Sequence, residues 1–266
     1  MFKNLTIGQH YPVESPVHDL DPRLKIIFTF IFIISLFLIE SFAGYLIVIA
    51  FLALAITLSK VPIKFVIRGL RPILMIITIT FVINLLMTPG RVIFSLGFIK
   101  ITEEGLRQAG FMAIRLTLLI MGTSLLTLTT SPIILTDGIE SLLKPFKRFG
   151  LPAHELAMMM TIALRFIPTL MEETEKIMKA QKSRGADFES GNIMSRAKNL
   201  VPLLVPLFIS AFRRADELAM AMEARCYRGG ENRTRMRQMK IQKVDYAAAA
   251  IFTVYFVAII LFKIIW

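Results

Sequence analysis

Cysteine is almost absent: Cys226 stands alone among 266 residues. That excludes an intramolecular disulfide and any metal site built from several thiolates. Histidine is also scarce, and His10, His18 and His154 are too scattered to make a metal-ligand spacing. No Gly-x-x-x-x-Gly-Lys-Ser/Thr segment is present to cradle nucleotide phosphates. The residues before position 24 hold Glu14, Asp19 and Asp21 and lack the apolar centre of a cleaved signal. Acids are few, 19 against 31 Lys and Arg, which leaves a formal charge of +12. Such a charge suits nucleic acid in some proteins, but here it lies in loops and helices between apolar runs, so no nucleic-acid partner is expected.

What the chain has in excess is apolar surface. Hydrophobic residues make up 55%, above the roughly 45–50% of soluble domains. Apolar runs fall at 24–39, 42–58, 72–88, 110–130 and 246–265, each long enough to cross or nearly cross about 30 Å of hydrocarbon. Asp21 followed by Pro22 is a good helix start, an acceptor and then a ring that needs no donor. Val92–Thr102 alternates around Gly97 and predicts a short hairpin, with Thr102 capping the helix that follows. The 59–71 loop carries Lys60, Lys64, Arg68 and Arg71 without an acid, which assigns it to the cytosol by the positive-inside rule. Lys3, Arg23 and Lys25 put the N-terminus on that side, and the fifth span carries the C-terminus out, where Lys263 and Trp266 anchor at the interface. Inside the spans, Arg115 is expected to snorkel from near the outer end of the fourth and Asn84 to bond a neighbouring helix.

Residues 131–243 differ. They hold 19 Lys and Arg against 12 Asp and Glu, and their longest apolar stretch, Leu200–Phe212, is too short to cross. Three amphipathic helices are expected there, near 136–148, from Pro152 to Ser183 and from Ile193 to Arg225. At 1.5 Å per residue the two long ones are each roughly 48 Å. Pro168 falls in one and Pro202 and Pro206 in the other, where each removes a backbone bond and bends the helix. Ala211, Ala215 and Ala219 form a small-residue ridge for a crossing helix. Each long helix ends in a small–Arg–small tripeptide, Ser183-Arg184-Gly185 and Ala224-Arg225-Cys226. A guanidinium keeps its charge and offers a fixed fork of donors, and small neighbours let a partner surface reach it.

This combination resembles the transmembrane T component of energy-coupling factor (ECF) transporters. The likeness covers most of the chain and rests on Leu20-Asp-Pro-Arg-Leu-Lys25, Leu164-Arg165-Phe166-Ile167-Pro168, Ser183-Arg184-Gly185-Ala186 and Glu223-Ala-Arg-Cys-Tyr-Arg-Gly229. Ser183 replaces the family's usual alanine and Cys226 its second glycine. The resemblance implies an all-α polytopic membrane protein of about five transmembrane helices with a cytosolic domain of three amphipathic helices, two of them coupling helices. Its domains are 1–130 (spans 1–4), 131–243 (coupling) and 244–266 (the final span), in a bacterial or archaeal cell membrane. It implies a scaffold, without cofactor or enzymatic activity of its own, that joins two ABC ATPase subunits to a membrane-embedded substrate-binding subunit in a vitamin or metal-ion importer. Ser183, Arg184, Gly185, Ala224, Arg225 and Cys226 would dock the ATPases. Met159, Met160, Ala163, Pro168, Pro202, Leu207, Ala211, Ala215 and Ala219 would serve helix crossing and contact with the substrate-binding subunit. The methionines of the long helices repack readily, which favours a subunit shared among several binding partners. Rival readings are a polytopic membrane enzyme and a permease conducting its own substrate. The acids, however, are spaced to meet bases along a helix, as in Glu172–Lys176 and Glu175–Lys179, rather than to converge on a pocket.

Overall fold

The computed structural model describes residues 10–96, 99–186, 188, 192–230 and 239–265. Lys3, Gly97 and Trp266, invoked above for orientation, turn and anchoring, lie outside the described residues. The chain divides into two compact units, one of Gly8–Leu142 with Arg237–Trp266 and one that includes Leu143–Met236.

The first unit is a bundle of apolar helices. These are α1 (Pro22–Leu38), α2 (Phe42–Ser59), the short α3 (Ile63–Arg68), α4 (Leu74–Met87) and α5 (Glu103–Thr129). A hairpin of β1 (Val92–Leu96) and β2 (Ile99–Thr102) separates α4 from α5. α6 (Pro132–Leu143) packs on α1, where a Cβ at Gly138 would lie 3.1 Å from both Pro22 and Ile26, a tight fit. The hairpin and the capping role of Thr102 follow the sequence expectation: the Thr102 hydroxyl accepts from the Gly105 N–H at 3.0 Å and donates to the Thr88 carbonyl at 2.8 Å. The helix expected near 136–148 instead begins at Pro132 and passes after Leu143 into a 3₁₀ turn, Lys144–Phe149. Pro145 explains the change, since it has no N–H to continue the α ladder.

Among the described residues, α2, α5 and the C-terminal helix (Lys243–Ile265, below α9) are long and apolar enough to cross a membrane. α1 and α4, at 17 and 14 residues, reach about 25 and 21 Å. α1, α2, α5 and α9 close around an aromatic core, with Phe28 stacked on Phe252 at 4.4 Å and Phe51 on Tyr255 at 4.1 Å. Outward, the bundle shows large apolar side chains such as Leu46 (67% exposed), Met75 (71%) and Val254 (71%). A surface that apolar around helices whose backbone bonds are internal suits lipid as solvent. The chain is thus an all-α polytopic membrane protein.

Several polar groups inside this bundle are paired, although Asp21 Oδ2 is buried without a hydrogen-bond partner among the described residues. Ser35 and Tyr255 share a hydrogen bond of 2.8 Å. Asn84 donates to the Thr80 carbonyl of its own helix at 2.8 Å, not to a neighbour. Arg115 is held at the C-terminal end of α1. Its Nε donates to the Tyr45 hydroxyl (3.1 Å) and its Nη2 to the Ile39 carbonyl (3.0 Å), between the rings of Phe37 and Phe111. The Ile39 carbonyl lies at the C-cap of α1, where the helix has no internal donor left, so a bound guanidinium satisfies it better than lipid would.

The Leu20–Lys25 motif has its explanation at the start of α1. Asp21 caps the helix by accepting from the Arg23 N–H at 2.9 Å. Its own N–H donates to Asp245 Oδ1 of α9 at 2.7 Å, and the Gln242 N–H donates to Oδ2 at 2.7 Å. Asp245, 1% exposed, thereby fastens the first span to the last. Lys25 directs its ammonium to the carbonyls of His18 (2.9 Å) and Thr129 (3.1 Å) and to the Thr130 hydroxyl (3.3 Å), which uses all three of its donors.

The second unit contains the 3₁₀ turn and two long amphipathic helices, α7 (Ala153–Ser183) and α8 (Ile193–Ala224). Both match the expected spans to within a residue. Pro168 lies within α7, and Pro202 and Pro206 within α8, and each helix continues through its prolines.

Candidate docking site at the helix ends

α7 and α8 pack against each other, and four pairs of residues fix their direction. Gln181 Nε2 donates to the Pro202 carbonyl at 3.4 Å. Glu173 takes a hydrogen bond from Ser210 and an ion pair from Arg214 at 3.1 Å. Tyr227, just beyond α8, meets His154 in the first turn of α7 at 3.3 Å. Positions rise along one helix as they fall along the other, so the pair is antiparallel. The first contact also gives the two prolines a use. Pro206 has no N–H to offer the Pro202 carbonyl four residues back, and the Gln181 amide supplies the missing donor.

The ion pair expected along one helix is found across two. Neither Glu172–Lys176 nor Glu175–Lys179 forms a salt bridge among the described residues, whereas Glu173–Arg214 does. The Ser210 hydrogen bond, reinforced by Arg214, holds the Glu173 carboxyl below the ordinary carboxylate range.

The two helix ends share one geometry. At the end of α7, the Gly185 N–H donates to the Lys182 carbonyl (3.0 Å) and the Ala186 N–H to that of Gln181 (3.0 Å). At the end of α8, the Cys226 N–H donates to the Glu223 carbonyl (2.8 Å) and the Tyr227 N–H to that of Met222 (3.0 Å). Each is a Schellman closure with a left-handed residue one place past the cap. Gly185 takes φ 87° and Cys226 φ 54°. The last place before each turn belongs to an arginine, Arg184 at φ −88°, ψ 5° and Arg225 at φ −91°, ψ 12°. Cys226 therefore turns the chain as glycine does, in a conformation that disfavours a residue with a Cβ.

Because main-chain donors already satisfy these carbonyls, the arginines are not needed as caps. Arg184 and Arg225 are exposed, and neither guanidinium bonds to a described residue. Ser183, Gly185, Ala224 and Cys226 beside them are exposed too, so both tips are open on their small-residue sides. With the helices antiparallel, the tips lie at opposite ends of the pair. From the level of His154, which meets Tyr227, to Arg184 is about 45 Å of helix.

The expected crossing residues are only partly brought together. Met160, Leu207 and Ala211 are half-buried, while Met159, Ala163, Pro168, Pro202, Ala215 and Ala219 are exposed. The buried contacts are instead Ala153, Ala157 and Leu203. Apolar spacing alone did not single these out, because the stripe of α8 is wider than one partner needs. Val201, Leu204, Val205, Phe208, Ile209 and Phe212, each at least 43% exposed, recur at helical spacing as an open apolar face. Sequence reasoning also passed over His154 and Tyr227; an aromatic two residues past an arginine tip was the available signal. Among the described residues, no three or more His, Cys, Asp and Glu side chains gather where a metal could bind.

The CbiQ family, described as "Cobalt transport protein", matches residues 13–236. The chain is 61% identical over 264 residues to the "Energy-coupling factor transporter transmembrane protein EcfT" of Thermosediminibacter oceani, covering 99% of this chain and 100% of that one. It is 58% identical to the protein of the same name from Clostridium kluyveri (100% and 99% covered) and 52% identical to that from Bacillus subtilis (90% and 91%).

Proposed function

The chain belongs to the CbiQ family as a transmembrane component of an energy-coupling factor transporter, and on that premise we propose that it couples two ATPase subunits to a substrate-binding membrane subunit. The observation that carries the proposal is the pair of matched helix tips. Arg184 and Arg225 have the same backbone geometry, stand at opposite ends of an antiparallel helix pair, and have no described partner. A surface with two equivalent cationic ends about 45 Å apart suits two copies of a similar protein, one at each tip. Each guanidinium would enter a groove on one ATPase and bond to acceptors there.

The open apolar face of α8, from Val201 to Phe212, is the surface we assign to the substrate-binding subunit. Closure of the ATPases on ATP would draw the two tips together and shift that face. Transport of a vitamin or metal ion would follow from whichever binding subunit is seated, while ATP hydrolysis would belong to the partners. The N-terminus and 131–243 would then face the cytosol, and the C-terminus the outside.

The test is co-expression with the ATPase pair and pull-down through this chain. Wild type retains both ATPases, each single alanine variant at Arg184 or Arg225 retains less, and the double variant retains none. Undiminished retention by the double variant would end the proposal.

A further inference from the structure

The loop between α2 and α4 has a second, independent feature. Arg68 and Arg71 are exposed and form no ion pair among the described residues, with Arg68 lying 5.0 Å over the Phe65 ring. They stand at the mouth of a cleft of about 620 Å³ between this loop and α5. Beyond the arginines its lining is mostly apolar, with Pro72, Ile73, Leu119 and Ile120 forming a floor beside the hydroxyls of Thr123 and Ser124. The loop lies tight on α5: a Cβ at Gly69 would fall 2.6 Å from the Ser124 hydroxyl, so glycine permits the approach.

The depth of the cleft indicates what fits it. Leu119 and Ile120 lie four to five residues before Ser124, where Gly69 rests on α5, which is about 6–8 Å farther along the helix and on the hydrocarbon side of the loop. The arginines are at the level of the loop. A cationic mouth above an apolar run matches a molecule with an anionic head and a hydrocarbon tail. A free phosphate would meet the two cations and gain nothing from the floor.

We propose that this cleft binds one anionic phospholipid, with its phosphate between Arg68 and Arg71 and an acyl chain against Ile73, Leu119 and Ile120. The bound lipid would belong to the leaflet beside the 59–71 loop; that point rests on the cytosolic placement proposed above, whereas the binding itself does not.

The full-length chain in neutral maltoside micelles, titrated with phosphatidylglycerol, phosphatidylcholine or inorganic phosphate and read by native mass spectrometry, tests this. Wild type should take up one phosphatidylglycerol in preference to the other two. Arg68→Gln with Arg71→Gln should weaken that binding by roughly thirtyfold, the effect of two interfacial cations. Lys60→Gln with Lys64→Gln removes the same charge from the same loop and should change it less than about threefold, well short of one cation's share. Leu119→Trp, which keeps both arginines and fills the floor, should also weaken it. Equal losses in the two charge variants would reduce the site to diffuse surface charge and overturn the proposal. So would inorganic phosphate binding as well as the lipid, or full binding by the arginine or tryptophan variant. Impermeant thiol labelling of single cysteines placed in 59–71 or 89–109 on intact cells reports the side of the membrane separately, so failure of the orientation and failure of the binding are told apart.

Discussion

The charged groups where α1 meets α9 and those at the tips of α7 and α8 are arranged in opposite ways. Asp245 is 1% exposed and both its oxygens accept backbone N–H groups, while Lys25 has an acceptor for each of its three hydrogens. Arg184 and Arg225 are exposed and bond to no described residue, although the carbonyls around them are satisfied. A buried charge is costly unless it is hydrogen-bonded, so the bonds of Asp245 and Lys25 work on the fold. An exposed arginine that its own helix does not need is free for another molecule. The difference separates a charged motif that holds the chain together from one that faces outward, though both hold arginine beside small or acidic residues.

The largest effect expected from this contrast is on stability. Asp245→Ala would orphan the N–H groups of Asp21 and Gln242, at about 2–5 kcal/mol for the two. Asp245→Asn, which keeps one acceptor, should lose less. Arg184→Ala and Arg225→Ala should stay within about 0.5 kcal/mol of wild type. Thermal midpoints in detergent compare all four, and a tip variant as unstable as Asp245→Ala would erase the distinction.

Next in size is the chemistry of the tips. Loss of one partner from a desolvated charge pair costs about 2–5 kcal/mol of binding. Lysine at Arg184 or Arg225 keeps the charge and loses the planar fork, so ATPase affinity should fall by much more than the about 0.3–1 kcal/mol that a cation at a helix end contributes. Titration of the ATPases against the lysine variants measures this, and near-wild-type affinity would return both arginines to the role of helix-end cations.

A smaller effect distinguishes one tip from the other. Cys226 holds φ 54° where the other tip has a glycine. Cys226→Gly relieves that conformation and should raise stability by up to about 1 kcal/mol, the left-handed penalty less the added freedom of the unfolded chain. Gly185→Cys should lower it. Hydrogen exchange in the last turns of α7 and α8 would show the two changes with opposite sign.

The smallest effect is one of pH. Glu173 has its carboxyl held below the ordinary range in the folded chain, chiefly by Ser210 and then by Arg214. Its contribution is therefore complete above the ordinary carboxylate value and is lost as pH falls through the lower, folded one. Protection of the α7–α8 contact should be flat from neutral pH to about 5 and decline below that range, and Glu173→Gln should flatten the decline.

Much of this was legible in the sequence because it depends on local pattern. Asp21-Pro22 starts α1, Thr102 caps α5, and the tripeptides at 183–185 and 224–226 end α7 and α8. Pro145 was equally visible, yet its 3₁₀ turn was not anticipated, because a proline can kink a helix or end it and only the neighbouring packing decides which. Asn84 was misjudged for a related reason. Hydropathy gives the depth of a polar residue in the membrane but not the carbonyl within its reach.

Local pattern was enough for the two long helices, their ends and the two arginine tips, since capping and periodicity act over a few residues. The partner of each polar group was left to tertiary structure. Asp245 reaches Asp21 across 224 positions, and Gln181 finds the carbonyl that Pro206 leaves open. The opposite placement of the two tips likewise follows from the antiparallel packing of α7 on α8. Such pairings depend on which helix faces which, and nothing in the local sequence of either helix specifies its neighbour.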